Sequence, residues 1–146
     1  MINVSVKNNI NFPKINFQSD LVKIANEVII PSLAANIDQQ QSITGGSLPS
    51  LEESTIKYKQ KKNLSDKILI ATGKLRRSFM QRKQGANKVV IYMNSDRAEI
   101  GKFLQVDGVG KKKKHFNFFG ISKEMEVNSM KLMVNIIKDR INAKQR

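Results

Sequence analysis

Asp96, Glu99 and Lys102 are the grouping in this chain whose residue types best fit phosphoester chemistry. Two carboxylates close in sequence can share a magnesium ion, and a lysine beside them can balance a scissile phosphate. A metal nuclease needs a further converging carboxylate. No motif supplies one, so turn and surface roles for Asp96 and Glu99 are expected. Gly108-Val109-Gly110-Lys111 has the outline of a phosphate-binding loop. The full pattern opens on a glycine where this chain has Gln105, and follows its lysine with Ser or Thr where this chain has Lys112. A flexible, solvated loop is the reading that fits. Ser78 and Thr72 carry hydroxyl nucleophiles, but His115 lies beside a lysine run with no carboxylate next to it, so neither has a base. No catalytic, metal-binding or cofactor-binding residue is assigned, and the chain is not expected to be an enzyme.

The remaining chemistry is cationic. Lys111, Lys112, Lys113 and Lys114 are adjacent, and four neighbouring like charges repel unless a counter-surface neutralises them. Contact with DNA or an acidic partner face is the expectation for this run, and Arg76, Arg77, Arg82 and Lys83 form a second basic stretch. Phe116, Phe118 and Phe119 stand near these cations and could stack on bases. Aromatics entering a helix more often anchor it to the core, and that role is expected here. The formal charge is +14, from 26 Lys and Arg against 12 Asp and Glu. Such a surface attracts polyanions and binds nucleic acid nonspecifically, so DNA affinity alone does not define a DNA-directed role. A nucleic-acid-binding module gathers its lysines on one face. Here they are spread over Lys57–Lys62, Arg76–Lys83, Lys111–Lys114 and Lys138–Arg146, which suits a protein with several interfaces.

The elements that must position these groups follow from pattern. At 146 residues the chain makes one domain with one core. It contains no cysteine, which excludes disulfides and thiolate metal sites, and one histidine, which excludes histidine clusters. No apolar run approaches the ~20 residues that span a bilayer, and the start lacks a signal-peptide core, so folding in a reducing cytoplasm is expected.

Ile2, Val4 and Val6 alternate as in a short strand at the head of an N-terminal arm, residues 1–18. Ser19 fits a helix N-cap, and Leu21, Ile24, Ala25, Val28 and Leu33 recur at helical spacing. Pro31 inside that pattern predicts a kink or a split. Residues 38–50, with Gly45-Gly46, read as a flexible loop. Ser50 with Glu53 reads as a capping box opening a lysine-rich helix. Thr72 fits the cap of a short helix in which Gly73 turns the backbone and Leu75 and Phe79 point inward.

Ser78 to Gln84 and Lys88 to Asn94 read as a hairpin around Gly85-Ala86-Asn87. Ala98 to Val106 fits strand or helix, and residues 107–115 form a basic loop. A last helix is predicted from about Ser122 to Ala143, with Val127, Met130, Val134, Ile137 and Ile141 as one apolar face. The sum is an α+β fold: a small antiparallel sheet packed with an N-terminal and a C-terminal helix.

Three segments, in order, carry a family resemblance: Gly46-Ser47-Leu48-Pro49-Ser50-Leu51, then Thr72-Gly73-Lys74-Leu75-Arg76-Arg77-Ser78-Phe79, then Phe116-Asn117-Phe118-Phe119-Gly120-Ile121-Ser122. Together, from about Asp20 to Ala143, the chain resembles the virion morphogenesis family of tailed bacteriophages, described as tail-completion or head–tail joining (neck) proteins. The resemblance makes Thr72, Gly73, Leu75, Ser78, Phe79, Phe118, Phe119 and Gly120 the family motif and core positions. Where the family has Arg-Pro-Phe-Phe-Gly, this chain has no proline; where the family often has Tyr-Ala-x-x-His-x-x-Gly, this chain runs Gly101-Lys102-Phe103-Leu104-Gln105-Val106-Asp107-Gly108. The resemblance implies a structural virion protein, assembled in the bacterial host cytoplasm and located in the tail or neck. It would form a homo-oligomeric ring of about six copies, since a cyclic interface must match a six-fold tail. Its partners would be tail tube or terminator proteins or the head connector. Nonspecific DNA contact is expected, membrane contact is not, and no cofactor is implied. The alternative is a basic nucleic-acid-binding protein.

Overall fold

Leu21, Ile24, Ala25 and Val28 recur at helical spacing, and in the computed structural model, which describes residues 16–145, they open a helical rod. The strand expected at Ile2 to Val6 lies outside the described residues. The rod begins as α1, Gln18–Ile24, one residue before Ser19. Phe17 stands at the cap position without a side-chain bond. The Gln18 N–H is instead satisfied by Asn16 Oδ1 at 2.8 Å, so the asparagine does the capping expected of Ser19. Pro31 has no N–H for the carbonyl one turn back. The rod answers with a π-helical turn, Ala25–Ile29, in which the Ile30 N–H reaches back to the Ala25 carbonyl. Winding then resumes as α2, Ile30–Asp38, with Pro31 in its first turn. The proline marks a change of winding and not a break.

Residues 38–50 are more tightly built than the flexible loop expected there. Gln41 pairs with Ser47, the Ser42 N–H bonds Gly46 O at 2.7 Å, and Leu48 is buried. Helix α3, Glu53–Lys61, follows, with Glu52 at its cap position and no side-chain cap bond. The Ser50 capping box is therefore not formed. Lys114 braces the turn before the helix: its Nζ lies 2.7 Å from Glu52 Oε1 and donates to Ser50 O at 2.9 Å.

Strands β1, Phe79–Lys83, and β2, Val89–Met93, pair antiparallel with Phe79 opposite Met93 and Lys83 opposite Val89. Helix α4, Ser95–Lys102, leaves β2 directly and passes into a second π-helical turn, Phe103–Asp107. This resolves the ambiguous Ala98 to Val106 stretch as helix. Residues 107–115 close as a second small hairpin, with Val109 paired to Lys114. The last helix, α5, is Lys123–Lys144, and Ser122 Oγ caps it by accepting from the Met125 N–H at 3.2 Å.

The rod is the centre of the α+β domain: α1 and α2 pack on the hairpin, while α1 and the first π turn pack on α5. Leu33, Ile37, Phe79, Phe116, Phe118 and Met125 meet in one buried cluster. Arg140 Nη2 lies 2.6 Å from each carboxylate oxygen of the buried Asp20 and so ties α5 to α1. Helix α5 turns Met125, Leu132 and Met133 to this core. The row Val127, Met130, Val134, Ile137 and Ile141, expected to face inward, is exposed. Both rows have helical spacing, and the core accepts only one of them. Among the described residues no helix is long and apolar enough to cross a membrane.

Candidate functional site

Thr72 does not cap a helix. Residues 73–78 form a single turn, in which the Arg77 N–H reaches Gly73 O at 3.2 Å and the Ser78 N–H reaches Leu75 O at 3.1 Å. Gly73 has φ +74°, and a Cβ there would come within 2.8 Å of the Arg77 guanidinium. The positive φ is what favours glycine, since the exposed Arg77 side chain could move aside. The turn buries Leu75, Ser78 and Phe79. Ser78 Oγ donates to Leu75 O at 2.7 Å, so the hydroxyl is spent on holding its own turn.

The downstream motif is held against the first. Phe119 stacks on Phe79 with ring centroids 5.8 Å apart and planes 3° from parallel, and Phe118 meets the same ring at 6.5 Å. Gln105 clamps Phe119 from the second π turn: its Oε1 accepts from Phe119 N at 2.9 Å, and its Nε2 donates to Phe119 O at 2.8 Å. Gly120 leaves room for Ile43, whose Cδ1 would lie 2.5 Å from an added Cβ. The two motifs, far apart in sequence, are thus one packed unit. The aromatics anchor the core, as expected; Phe116 and Phe118 are buried.

Beside this unit lies a groove of about 430 Å³ between the 68–75 segment, α4 and the second hairpin. Ile70, Leu75, Ile100, Leu104, Val109 and Phe116 supply its apolar wall. Lys59 stands at its floor and was not distinguished from the other α3 lysines by sequence. It is buried, and its Nζ donates to Lys67 O at 2.5 Å and Ile70 O at 2.9 Å. Desolvation pushes its pKa below the usual lysine value, opposed by the more distant Asp66. The ammonium holds a turn in which Leu69 takes φ +62°, a left-handed conformation costly for a branched side chain.

The candidate contact cations divide into two sets. Arg76 makes a two-pronged bond to Asp38, Nε to Oδ1 at 2.6 Å and Nη2 to Oδ2 at 2.5 Å. The hydrogen bond from Arg76 holds the Asp38 carboxyl below its ordinary range, and Asp38 raises Arg76 in turn. Lys114 is committed to Glu52, whose pKa it lowers chiefly through the same hydrogen bond. These two cations act inside the fold. Lys111, Lys112 and Lys113 are exposed on the tip of the second hairpin, and Lys83 is exposed at the end of β1. Arg82 lies 5.4 Å over the Tyr92 ring, and Arg77 donates to Thr72 O at 3.2 Å while staying exposed.

Asp96 and Glu99 are exposed on α4. Among the described residues no group of three His, Asp or Glu could hold a metal ion. His115 Nδ1 lies 3.1 Å from Gln105 O, which can only accept, so that nitrogen carries the proton. What the surface offers is recognition: an apolar groove, a cationic hairpin tip and an exposed apolar row on α5. No protein-family model, curated protein or solved structure matches this chain.

Proposed function

We propose that this chain is a structural virion protein of a tailed phage or prophage, acting at the head-proximal end of the tail or in the neck to complete the tail or join it to the head. The observation that carries the reading is the union of the Thr72–Phe79 and Phe116–Gly120 segments through the stacked Phe79 and Phe119 rings. Two of the three segments behind the resemblance thus pack together, and that packing supports the reading. Recognition by repeated interfaces is then the mechanism, in which a ring of identical subunits caps one assembly and receives the next. The test is quantitative mass spectrometry of purified virions. About six or about twelve copies per particle fit a ring on a six-fold tail. Absence from the particle overturns the reading.

A further inference from the structure

Five large apolar side chains on α5 stand exposed among the described residues: Val127, Met130, Val134, Ile137 and Ile141, with exposures running from 38% at Ile137 to 66% at Met130. Their spacing alternates three and four residues, the 3.5-residue period of a coiled-coil seam, with Val127, Val134 and Ile141 on one edge and Met130 and Ile137 on the other. The core-facing row of Met125, Leu132 and Met133 lies on a different side of the helix, so among the described residues this seam stays outside the core cluster. A continuous apolar row of this kind is unusual on the surface of a monomer.

We infer that this seam pairs with the same seam of a second copy, the two α5 helices lying parallel and in register. Three observations favour that occupant and that direction. Val127, Val134 and Ile141 are all β-branched at one seam position, as two-stranded parallel packing favours there, while Met130 and Ile137 stand where that pattern prefers Leu. A parallel pair sets Glu126 of each helix beside Lys131 of the other, two attractive contacts. Glu126 is otherwise engaged only by exposed Lys123, a weak surface pair that is easily exchanged. An antiparallel pair instead sets the flank carrying Lys131 and Lys138 against its own copy, four cations along one edge. Lysines at Lys123 and Lys144 occupy the next seam positions at either end, so the seam is about two heptads long. Two heptads make a short seam, so weak and reversible association is expected. The inference does not depend on the phage reading.

Sedimentation equilibrium of the whole chain tests it, together with cysteine cross-linking, which is clean because the sequence has no cysteine. The wild type is expected to associate reversibly, and more tightly as salt screens its net charge of +14. Val134→Glu should weaken association at least about tenfold with an unchanged circular dichroism spectrum, since the residue is exposed. Under mild oxidation Val127→Cys should form a disulfide with its own copy. A mixture of Val127→Cys and Ile141→Cys chains should give few mixed disulfides, because the two positions lie at opposite ends of a parallel seam. Predominant mixed disulfides would mean antiparallel packing and would overturn the inference. So would a chain that stays monomeric to about 1 mM, which leaves the seam to a helix of another protein.

Discussion

Lys59 shows how much a single side chain can decide without announcing itself. It stands among Lys57, Lys61 and Lys62, which are exposed, yet it alone is buried and bonded to two carbonyls of the 67–70 turn. Lys59→Met keeps the apolar stem and removes both bonds, so it should lower stability by about 1–2 kcal/mol in urea unfolding. The pH dependence has a definite sign. Burial lowers the folded pKa of Lys59 below its ordinary 10.5, so on the alkaline side the unfolded chain holds the proton that the folded chain has lost. Stability contributed by this group therefore rises with pH between the lowered pKa and about 10.5. The gap between wild type and Lys59→Met should widen across that window, and a gap that narrows would contradict the assigned burial. Asp38 gives the opposite case. Its pKa is lowered by Arg76, so the stability it contributes is present above its ordinary 3.8 and is lost as pH falls through the folded value. Asp38→Asn should be less stable than wild type at pH 7 and converge with it in acid, as read by thermal unfolding at each pH.

The elements were largely legible in the sequence, and their faces and ends were not. The hairpin was readable because the short apolar run Val89 to Met93 and the Gly85-Ala86-Asn87 turn agree with each other. The start of α5 was readable because Ser122 caps it in the ordinary way. Helix starts differed from expectation at two places. The helix after Ser50 begins with Glu52 at its cap position, and Asn16 took the role expected of Ser19. These are poorly patterned positions that local spacing does not reveal. The inward face of α5 was misread for a different reason: the helix is apolar on two sides, and only tertiary packing chooses between them. Of the motif positions, inward Leu75 and Phe79 and anchoring Phe118 could be read from residue type, but the clamp from Gln105 to Phe119 could not. Its consequence is testable at the level of the element. Phe118→Ala removes a fully buried ring packed beside Phe79 in the core, and should cost about 3–5 kcal/mol. Gln105→Ala breaks the clamp while leaving that ring in place, and about 1–3 kcal/mol is expected from two unmet backbone groups. Equal losses from the two would mean that the aromatic motif has no packing role beyond its hydrogen bonds.

For the whole molecule the question is whether the charge of +14 serves DNA or other proteins. Counting cations does not answer it, because Arg76 and Lys114 are consumed by Asp38 and Glu52. What remains outward is concentrated most closely at Lys111, Lys112 and Lys113, on a hairpin tip where Lys113 takes φ +48° and the three side chains stand clear of the fold. If this tip meets phosphates, each lysine releases about one condensed counterion. Replacing all three by Gln should then reduce the slope of log affinity against log salt by up to about 2.7 on duplex DNA, measured by fluorescence anisotropy. Arg76→Gln is the control that separates charge from fold: it also removes a cation, but one already paired with Asp38, so it should lower stability and leave the slope nearly unchanged. A triple variant with the wild-type slope would free the tip from any DNA role and leave an acidic protein face as its counter-surface. Loss of the slope with normal particle assembly would instead favour the nucleic-acid-binding alternative. The same surface cannot distinguish these roles by affinity at one salt concentration, since any protein this cationic binds DNA at low salt. The slope distinguishes them because it counts phosphates at a named place on the molecule.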